Sequence, residues 1–145
     1  MGAVTMENHE WDLEYFKKEE FSNPDKMDYY FVHRLDQLRK MIGKPIVIHS
    51  SYRENDNNTH GRGEAVDCHC IGLNVLDFFL LAEKSNLFTG IGVYPNWNNP
   101  GLHLDIRLGS SSRWGCWTPT DPKKKNIYVP LDSKFIETLA LEALP

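Results

Sequence analysis

Two histidines and one aspartate have the types and the spacing to bind a metal ion together. His60 and Asp67 begin and end the segment His-Gly-Arg-Gly-Glu-Ala-Val-Asp, and His103 occurs much later, in Leu-His-Leu-Asp. Imidazole nitrogens and carboxylate oxygens are common zinc ligands, and three protein ligands leave the fourth position of a tetrahedral zinc free for water. Such an open position distinguishes a catalytic zinc from a structural one. If the three side chains converge, the sequence predicts metal-assisted hydrolysis.

Alternation along two predicted strands indicates that the three side chains can meet. Residues 65–70 and 102–108 are predicted strands, in which successive side chains point to opposite faces. Asp67 and His103 then lie on the polar faces of their strands, and His60 can reach the same surface from the preceding loop. The opposite faces carry small or apolar side chains, namely Val66, Cys68, Cys70, Leu102, Leu104, Ile106 and Leu108.

The other four histidines carry weaker signals. His9 and His33 have no comparable neighbours and are predicted to lie on the surface. His69 shares a face with Asp67, so it is a candidate for a residue that contacts a metal ligand rather than the metal itself. His49 directly precedes the segment Ser-Ser-Tyr-Arg and could line the same face.

The three cysteines favour a structural interpretation. Cys68 and Cys70 would share the core face of a strand, where small apolar side chains are common. A second metal site at Cys68-His69-Cys70 is the alternative. Because Cys116 makes the number odd and no signal peptide is recognised, a disulfide framework is not expected.

Helices are predicted where apolar residues recur at helical spacing, and strands where β-branched or alternating residues occur. Asp28 and Ser133 are the predicted N-caps of the first and last helices, and Gly43 is predicted to end the first. Gly61 and Gly63 allow a tight turn within a predicted loop. The predicted helices cover residues 28–41, 74–84 and 133–144, and the predicted strands cover residues 46–48, 65–70, 90–94, 102–108 and 127–129.

The order of these elements predicts the fold class. Helices and strands do not alternate as they do in a parallel βαβ array, so the order favours an α+β fold. A chain of 145 residues suffices for one hydrophobic core. We therefore expect one domain over residues 1–145, with a mostly antiparallel sheet and helices packed on one side.

Composition narrows the possible partners. The net charge of −4 gives no support to a nucleic-acid partner, which usually requires a basic face. No apolar stretch approaches the roughly 20 residues of a membrane span, so no membrane partner is expected. The first residues lack the features of a secretion signal. A cytoplasmic location is therefore expected, unless another system exports or releases the protein.

Four segments together resemble the D-alanyl-D-alanine carboxypeptidase and L-alanyl-D-glutamate endopeptidase family of zinc peptidases, whose fold the hedgehog signalling domain shares. The resemblance covers about residues 28–110. It implies that His60, Asp67 and His103 bind Zn²⁺ and that Arg53 binds the substrate or polarises its carbonyl, although Ser51 replaces the usual Gly. The segments are Ser50-Ser51-Tyr52-Arg53, residues 58–67, Gly90-Ile-Gly-Val-Tyr94 and Leu102-His103-Leu104-Asp105-Ile106-Arg107.

The sequence departs from this family in one respect. Many members carry an acidic general base a few residues before the last zinc histidine, but residues 95–101 contain no acid. One branch of the family ends in His-x-Asp instead, which makes Asp105 the candidate for the base or for an orienting carboxylate. Alternatively, Asp105 only forms a salt bridge with Arg107 or Arg53.

The resemblance implies a zinc metallopeptidase that hydrolyses peptidoglycan stem peptides next to a D-amino acid. A phage or prophage lysis enzyme, released to the cell wall on lysis, would fit the expected location. Arg53 and Asp105 are the expected catalytic residues, and Arg53, Ser51, Tyr94 and Trp97 are the expected substrate-binding residues. Trp97 is equally interpretable as an anchor of an exposed loop.

Two other functions stay open. The first is a zinc-stabilised domain of the same fold that binds without catalysis or belongs to a virion. The second is a nucleic-acid hydrolase, which the negative charge disfavours. The bond that is cut and the choice between endopeptidase and carboxypeptidase are also open, and a monomer is expected.

Overall fold

Six strands form one sheet in the order β1-β2-β4-β3-β5-β6. The structure is a computed structural model that describes residues 4–144. All strand pairs are antiparallel except β3 and β5, which run parallel. The strands are β1 (Ile46–Ser50), β2 (Ala65–Cys70), β3 (Gly90–Tyr94), β4 (Gly101–Asp105), β5 (Ser112–Trp117) and β6 (Ile127–Pro130). Helices α1 (Tyr29–Ile42), α2 (Val75–Ser85) and α3 (Ser133–Glu142) complete the predicted α+β fold.

Side-chain caps fix where the helices begin. The Asp28 carboxylate accepts a hydrogen bond from the Phe31 amide at 2.9 Å, and Gly43 ends α1 in the left-handed conformation, both as predicted. The prediction for α3 was wrong by one residue. Asp132, not Ser133, is its N-cap, because the Asp132 carboxylate accepts from the Phe135 amide at 3.0 Å.

One face of the sheet is buried under the helices. Each helix contributes phenylalanine or leucine to a single core, for example Phe31 from α1, Phe78 from α2 and Phe135 from α3. The predicted apolar face of β2 is confirmed, since its core-facing residues Val66, Cys68 and Cys70 join this cluster. All three cysteines, including Cys116, are buried and free. The polar face of the sheet is therefore the one left for a functional site.

Two strand predictions needed correction. The strand predicted over residues 102–108 ends at Asp105, and the Leu108 side chain is 96% exposed instead of facing the core. Strand β5 was not predicted at all. Its sequence Ser-Arg-Trp-Gly-Cys-Trp lacks a β-branched run, and Gly115 interrupts the pattern that would mark a strand.

No helix within residues 4–144 is both long enough and apolar enough to cross a membrane. The longest of the three α-helices, α1, has 14 residues. A bilayer core requires roughly 20 residues of helix.

Candidate metal centre

The three predicted metal ligands lie together on the polar face of the sheet. Asp67 of β2 and His103 of β4 are direct cross-strand partners. His60 lies in a short 3-10 helix, Thr59–Arg62, just before β2. His60 Nε2 and His103 Nδ1 lie 3.4 Å and 3.2 Å from Asp67 Oδ1. Because the three ligand atoms lie within 4.8 Å of one another, this group could hold a metal ion.

His60 and His103 each have one ring nitrogen in a hydrogen bond on the side away from Asp67. These bonds determine which nitrogen of each ring faces Asp67 Oδ1. His60 Nδ1 is 2.8 Å from the Ser51 carbonyl oxygen, to which only an N–H can donate. His103 Nε2 donates in the same way to Asp105 Oδ2 at 2.7 Å. In the neutral imidazoles, His60 Nε2 and His103 Nδ1 therefore carry lone pairs. Two lone pairs and a carboxylate oxygen that face one point could hold a metal ion, and such second contacts are typical of metal-binding histidines.

Two glycines give the chain the turn that brings His60 to the sheet. A Cβ on Gly61 would lie 1.7 Å from the carbonyl oxygen of Asp56. Gly63 has a φ of 69°, and a Cβ there would lie 2.1 Å from the carbonyl oxygen of Lys26. Side chains at either position would clash with backbone, so the turn predicted from Gly61 and Gly63 depends on both glycines.

Arg53 holds the oxygen of Asp67 that the histidines leave free. The guanidinium donates to Asp67 Oδ2 at 2.7 Å and to Ser50 Oγ at 2.8 Å. Burial favours the neutral acid, but the contacts with His103 and His60 keep the pKa of Asp67 well below its usual range. Asp67 is thus a fixed carboxylate with one oxygen, Oδ1, directed at the histidines.

Asp105 lies beneath the metal group and has no exposed surface. Besides the bond from His103, its carboxylate accepts from the Arg107 amide at 3.0 Å and from Arg107 Nη2 at 2.6 Å. Burial raises its pKa, but the bonds from His103 and Arg107 outweigh burial and hold it well below the usual range. These contacts match the orienting carboxylate and the Arg107 salt bridge of the sequence analysis. The role of Asp105 as a base stays a prediction.

A cavity of about 1100 Å³ opens above the metal group. The expected substrate-binding residues Arg53, Tyr94 and Trp97 line it, and the Tyr94 and Trp97 rings stack with centroids 4.3 Å apart. Substrate binding by these residues stays a prediction. The structure does not bring the Ser51 side chain to the cavity. Ser51 is 1% exposed, and its hydroxyl bonds to Ser22. Its contribution to the site is the carbonyl that orients His60.

Trp114 and Asp56 line the same cavity and were missed by the sequence analysis. Trp114 Nε1 donates to the Tyr94 hydroxyl at 3.0 Å, and its ring centroid lies 5.2 Å from that of His103. Asp56 is the one carboxylate besides Asp67 among the described lining residues. Trp114 was missed because β5 was missed, and Asp56 because it lies in a loop without a motif.

Comparisons of the chain with protein-family models, with curated protein sequences and with solved structures found no match. What can be stated of its function therefore follows from its own residues. These give an α+β domain and a buried His60–Asp67–His103 group that could hold a metal ion.

Proposed function

We propose that the protein is a zinc-dependent peptidase that hydrolyses peptidoglycan stem peptides next to a D-amino acid. The observation that carries the proposal is the direction of the three ligand atoms, which converge at the floor of a large open cavity. The resemblance of the motifs to zinc D-Ala-D-Ala peptidases supports the substrate class. A two-histidine, one-carboxylate set with an open side suits catalytic Zn²⁺.

Bound zinc would supply a water whose pKa falls from 15.7 to about 7. The chain's own residues supply binding and orientation. Arg53 is 46% exposed on its side chain, so its guanidinium can donate to a substrate carboxylate or carbonyl while it still contacts Asp67. Ser51 and Asp105 keep the imidazoles of His60 and His103 directed at the metal.

The Tyr94 hydroxyl is a candidate donor to the substrate carbonyl. Burial raises its pKa, so the hydroxyl stays protonated at neutral pH. One of its lone pairs accepts from Trp114 Nε1. The Tyr94 hydrogen can then point into the cavity, where it would stabilise an oxyanion.

The proton acceptor is assigned to the carboxylate that faces the cavity. Asp105 has no exposed surface and already accepts from His103 and Arg107. Asp56 lines the cavity, with its Oδ2 atom 3.8 Å from Nη1 of Arg53. We therefore give Asp105 the positioning role and Asp56 the role of general base.

The direct test is digestion of purified peptidoglycan by zinc-loaded protein. Mass spectrometry should find cleaved stem peptides, and free amino groups should increase. His60→Ala should abolish both, whereas His9→Ala, which changes an exposed histidine, should leave them intact. If zinc-loaded wild type releases no new termini from peptidoglycan of several chemical types, the peptidase proposal fails.

The burial of Asp105 favours one second candidate, a zinc-stabilised binding domain without turnover. Asp105, the acid of the His-x-Asp motif, is inaccessible to substrate. The chain could then bind stem peptides through Arg53 and hydrolyse none. This candidate predicts zinc-dependent binding of a stem peptide, measured by calorimetry, without any cleaved product after prolonged incubation.

A further inference from the structure

Two more imidazoles meet on the polar face of the sheet, outside the group His60–Asp67–His103. His49 lies on β1 and His69 on β2. Their facing nitrogens, His49 Nε2 and His69 Nδ1, are 2.5 Å apart. The rings meet edge to edge, with centroids 4.7 Å apart and planes 19° from parallel. Neither residue has a role in the proposed peptidase chemistry.

A β-bulge in β1 creates this pair. Val47 is the cross-strand partner of His69 and Ile48 that of Cys68, but the next pair is Ser50 with Asp67. His49 is therefore an extra residue on its strand. A bulge re-aims the side chain of the extra residue. Here it leaves the exposed His49 ring against His69 instead of opposite a partner of its own.

Two imidazole nitrogens this close must share either a hydrogen atom or a metal ion. In the metal-free pair this is one shared proton, because two lone pairs repel each other and so do two N–H groups. A divalent transition ion can replace that proton. Zinc–imidazole bonds are about 2.0–2.1 Å long, which places two nitrogens of a tetrahedral site about 3.3 Å apart. The nitrogens must thus separate by less than about 1 Å, and His49 is free to move because it is exposed.

We propose that His49 and His69 form a second site for a divalent transition metal ion, weaker than the first. It offers two neutral ligands and water, whereas the first site offers a carboxylate as well. Copper should bind most tightly, following the general order of divalent ions. His69 is two residues from Asp67, roughly 7 Å along the strand. Since His49 also lines the cavity, the second ion would lie at the cavity's rim.

The test is metal stoichiometry, which does not depend on any enzymatic activity. Metal-free protein is titrated with Zn²⁺ by calorimetry, and bound metal is counted after equilibrium dialysis. Wild type should bind two ions per chain, the second at least about tenfold more weakly. His49→Gln and His69→Gln should each bind one ion, with the tight affinity unchanged. Asp67→Asn should weaken the tight step and keep the weak one.

A spectroscopic arm identifies the ligands of the second ion. Less than one equivalent of Cu²⁺, added to protein that holds one Zn²⁺ and is shown by metal analysis to retain it, should give an electron paramagnetic resonance spectrum with coupling to imidazole nitrogen. His49→Gln should lose that coupling, whereas His9→Gln should retain it. Near-ultraviolet circular dichroism verifies the fold of each variant. If His69→Gln is misfolded, the test rests on His49→Gln, which changes an exposed residue. A wild type that binds one ion only, or a His49→Gln variant that still binds two, overturns the proposal.

Discussion

At the scale of single residues, the direction of each imidazole determines what the metal group can do. A surface histidine can present either nitrogen, but His60 and His103 each have one nitrogen occupied by a fixed acceptor. The acceptors are a backbone carbonyl and a carboxylate with no exposed surface, so neither histidine can easily reverse its tautomer. The free nitrogens of His60 and His103 therefore already face Asp67 Oδ1, where the group could hold a metal ion.

Replacing Asp105 by Asn tests whether this acceptor orients His103 or acts as a base. The amide can no longer fix the tautomer of His103, so we expect metal affinity to fall by about 10- to 100-fold. The Zn²⁺ dissociation constant is measured by competition with a chelator. Asp12→Asn, which changes the acceptor of His33 on the surface, is the matched control. Lost activity with unchanged zinc affinity would instead identify Asp105 as the base.

Replacing Asp56 by Asn tests the proposed base. The variant keeps the side-chain oxygen that accepts from the Asn58 amide, so the loop should fold normally. Removal of a general base typically lowers kcat by about 10² to 10⁴. We expect that loss with zinc affinity unchanged, and both are measured on the same preparation. A variant that hydrolyses peptidoglycan at the wild-type rate would exclude Asp56 from the proton transfer.

At the scale of elements, three neighbouring strands place the Trp114 ring beside the metal group, where it forms a wall of the cavity. Gly92 of β3 pairs with His103 on one side and with Trp114 on the other. Because Gly92 has no side chain, the Trp114 ring lies over it and reaches both His103 and the Tyr94 hydroxyl. The parallel pairing of β3 with β5 is thus what supplies this wall.

Replacing Gly92 by Ala should displace that wall. The new Cβ would lie 2.4 Å from the Trp114 ring, closer than any ordinary contact. Overpacking of this kind costs about 1–3 kcal/mol of stability. We expect lower thermal stability and a shifted tryptophan emission, with the Trp114–Tyr94 hydrogen bond lost. Trp114→Phe, which lacks only the donor and the larger ring, separates the lost hydrogen bond from the strain. Unchanged emission and stability in Gly92→Ala would contradict this packing.

The same elements show what the sequence could and could not predict. Alternation in residues 65–70 identified the core face of β2 and the position of Asp67, because one face is apolar and the other polar. Alternation in residues 102–108 overran the end of β4, since Arg107 leaves the sheet to bind Asp105. No pattern predicted β5, whose place is set by pairing with β3 rather than by its own composition. Trp114 was lost with it.

At the scale of the whole molecule, metal binding, proton binding and folding are linked. Burial favours neutral His103, but hydrogen bonds to Asp105 and Asp67 raise its pKa above the usual value in the metal-free protein. A protonated His103 donates to both carboxylates and therefore stabilises the folded state. A metal ion needs the same nitrogen deprotonated, so protons and metal compete for one site.

The metal-free protein should therefore lose stability as pH rises above the ordinary histidine pKa of about 6.5. The folded pKa of His103 is raised, so its contribution is complete below the unfolded value near 6.5 and is lost as pH passes the folded value. The lowered pKa values of Asp67 and Asp105 act only in acid and leave this window unaffected. Thermal unfolding over a series of pH values, once with chelator and once with Zn²⁺, measures the stability of the metal-free and the metal-loaded protein as a function of pH.

Added Zn²⁺ should raise Tm by an increment that grows with pH over the same window, because stabilisation depends on ligand concentration relative to the dissociation constant. His33→Gln, which changes a histidine paired with Asp12 on the surface, should leave the increment and its pH dependence unchanged. His60→Ala should abolish most of the increment. A zinc increment that is independent of pH would mean that the ion does not displace a proton from His103, and the assignment of His103 Nδ1 as a ligand would fail.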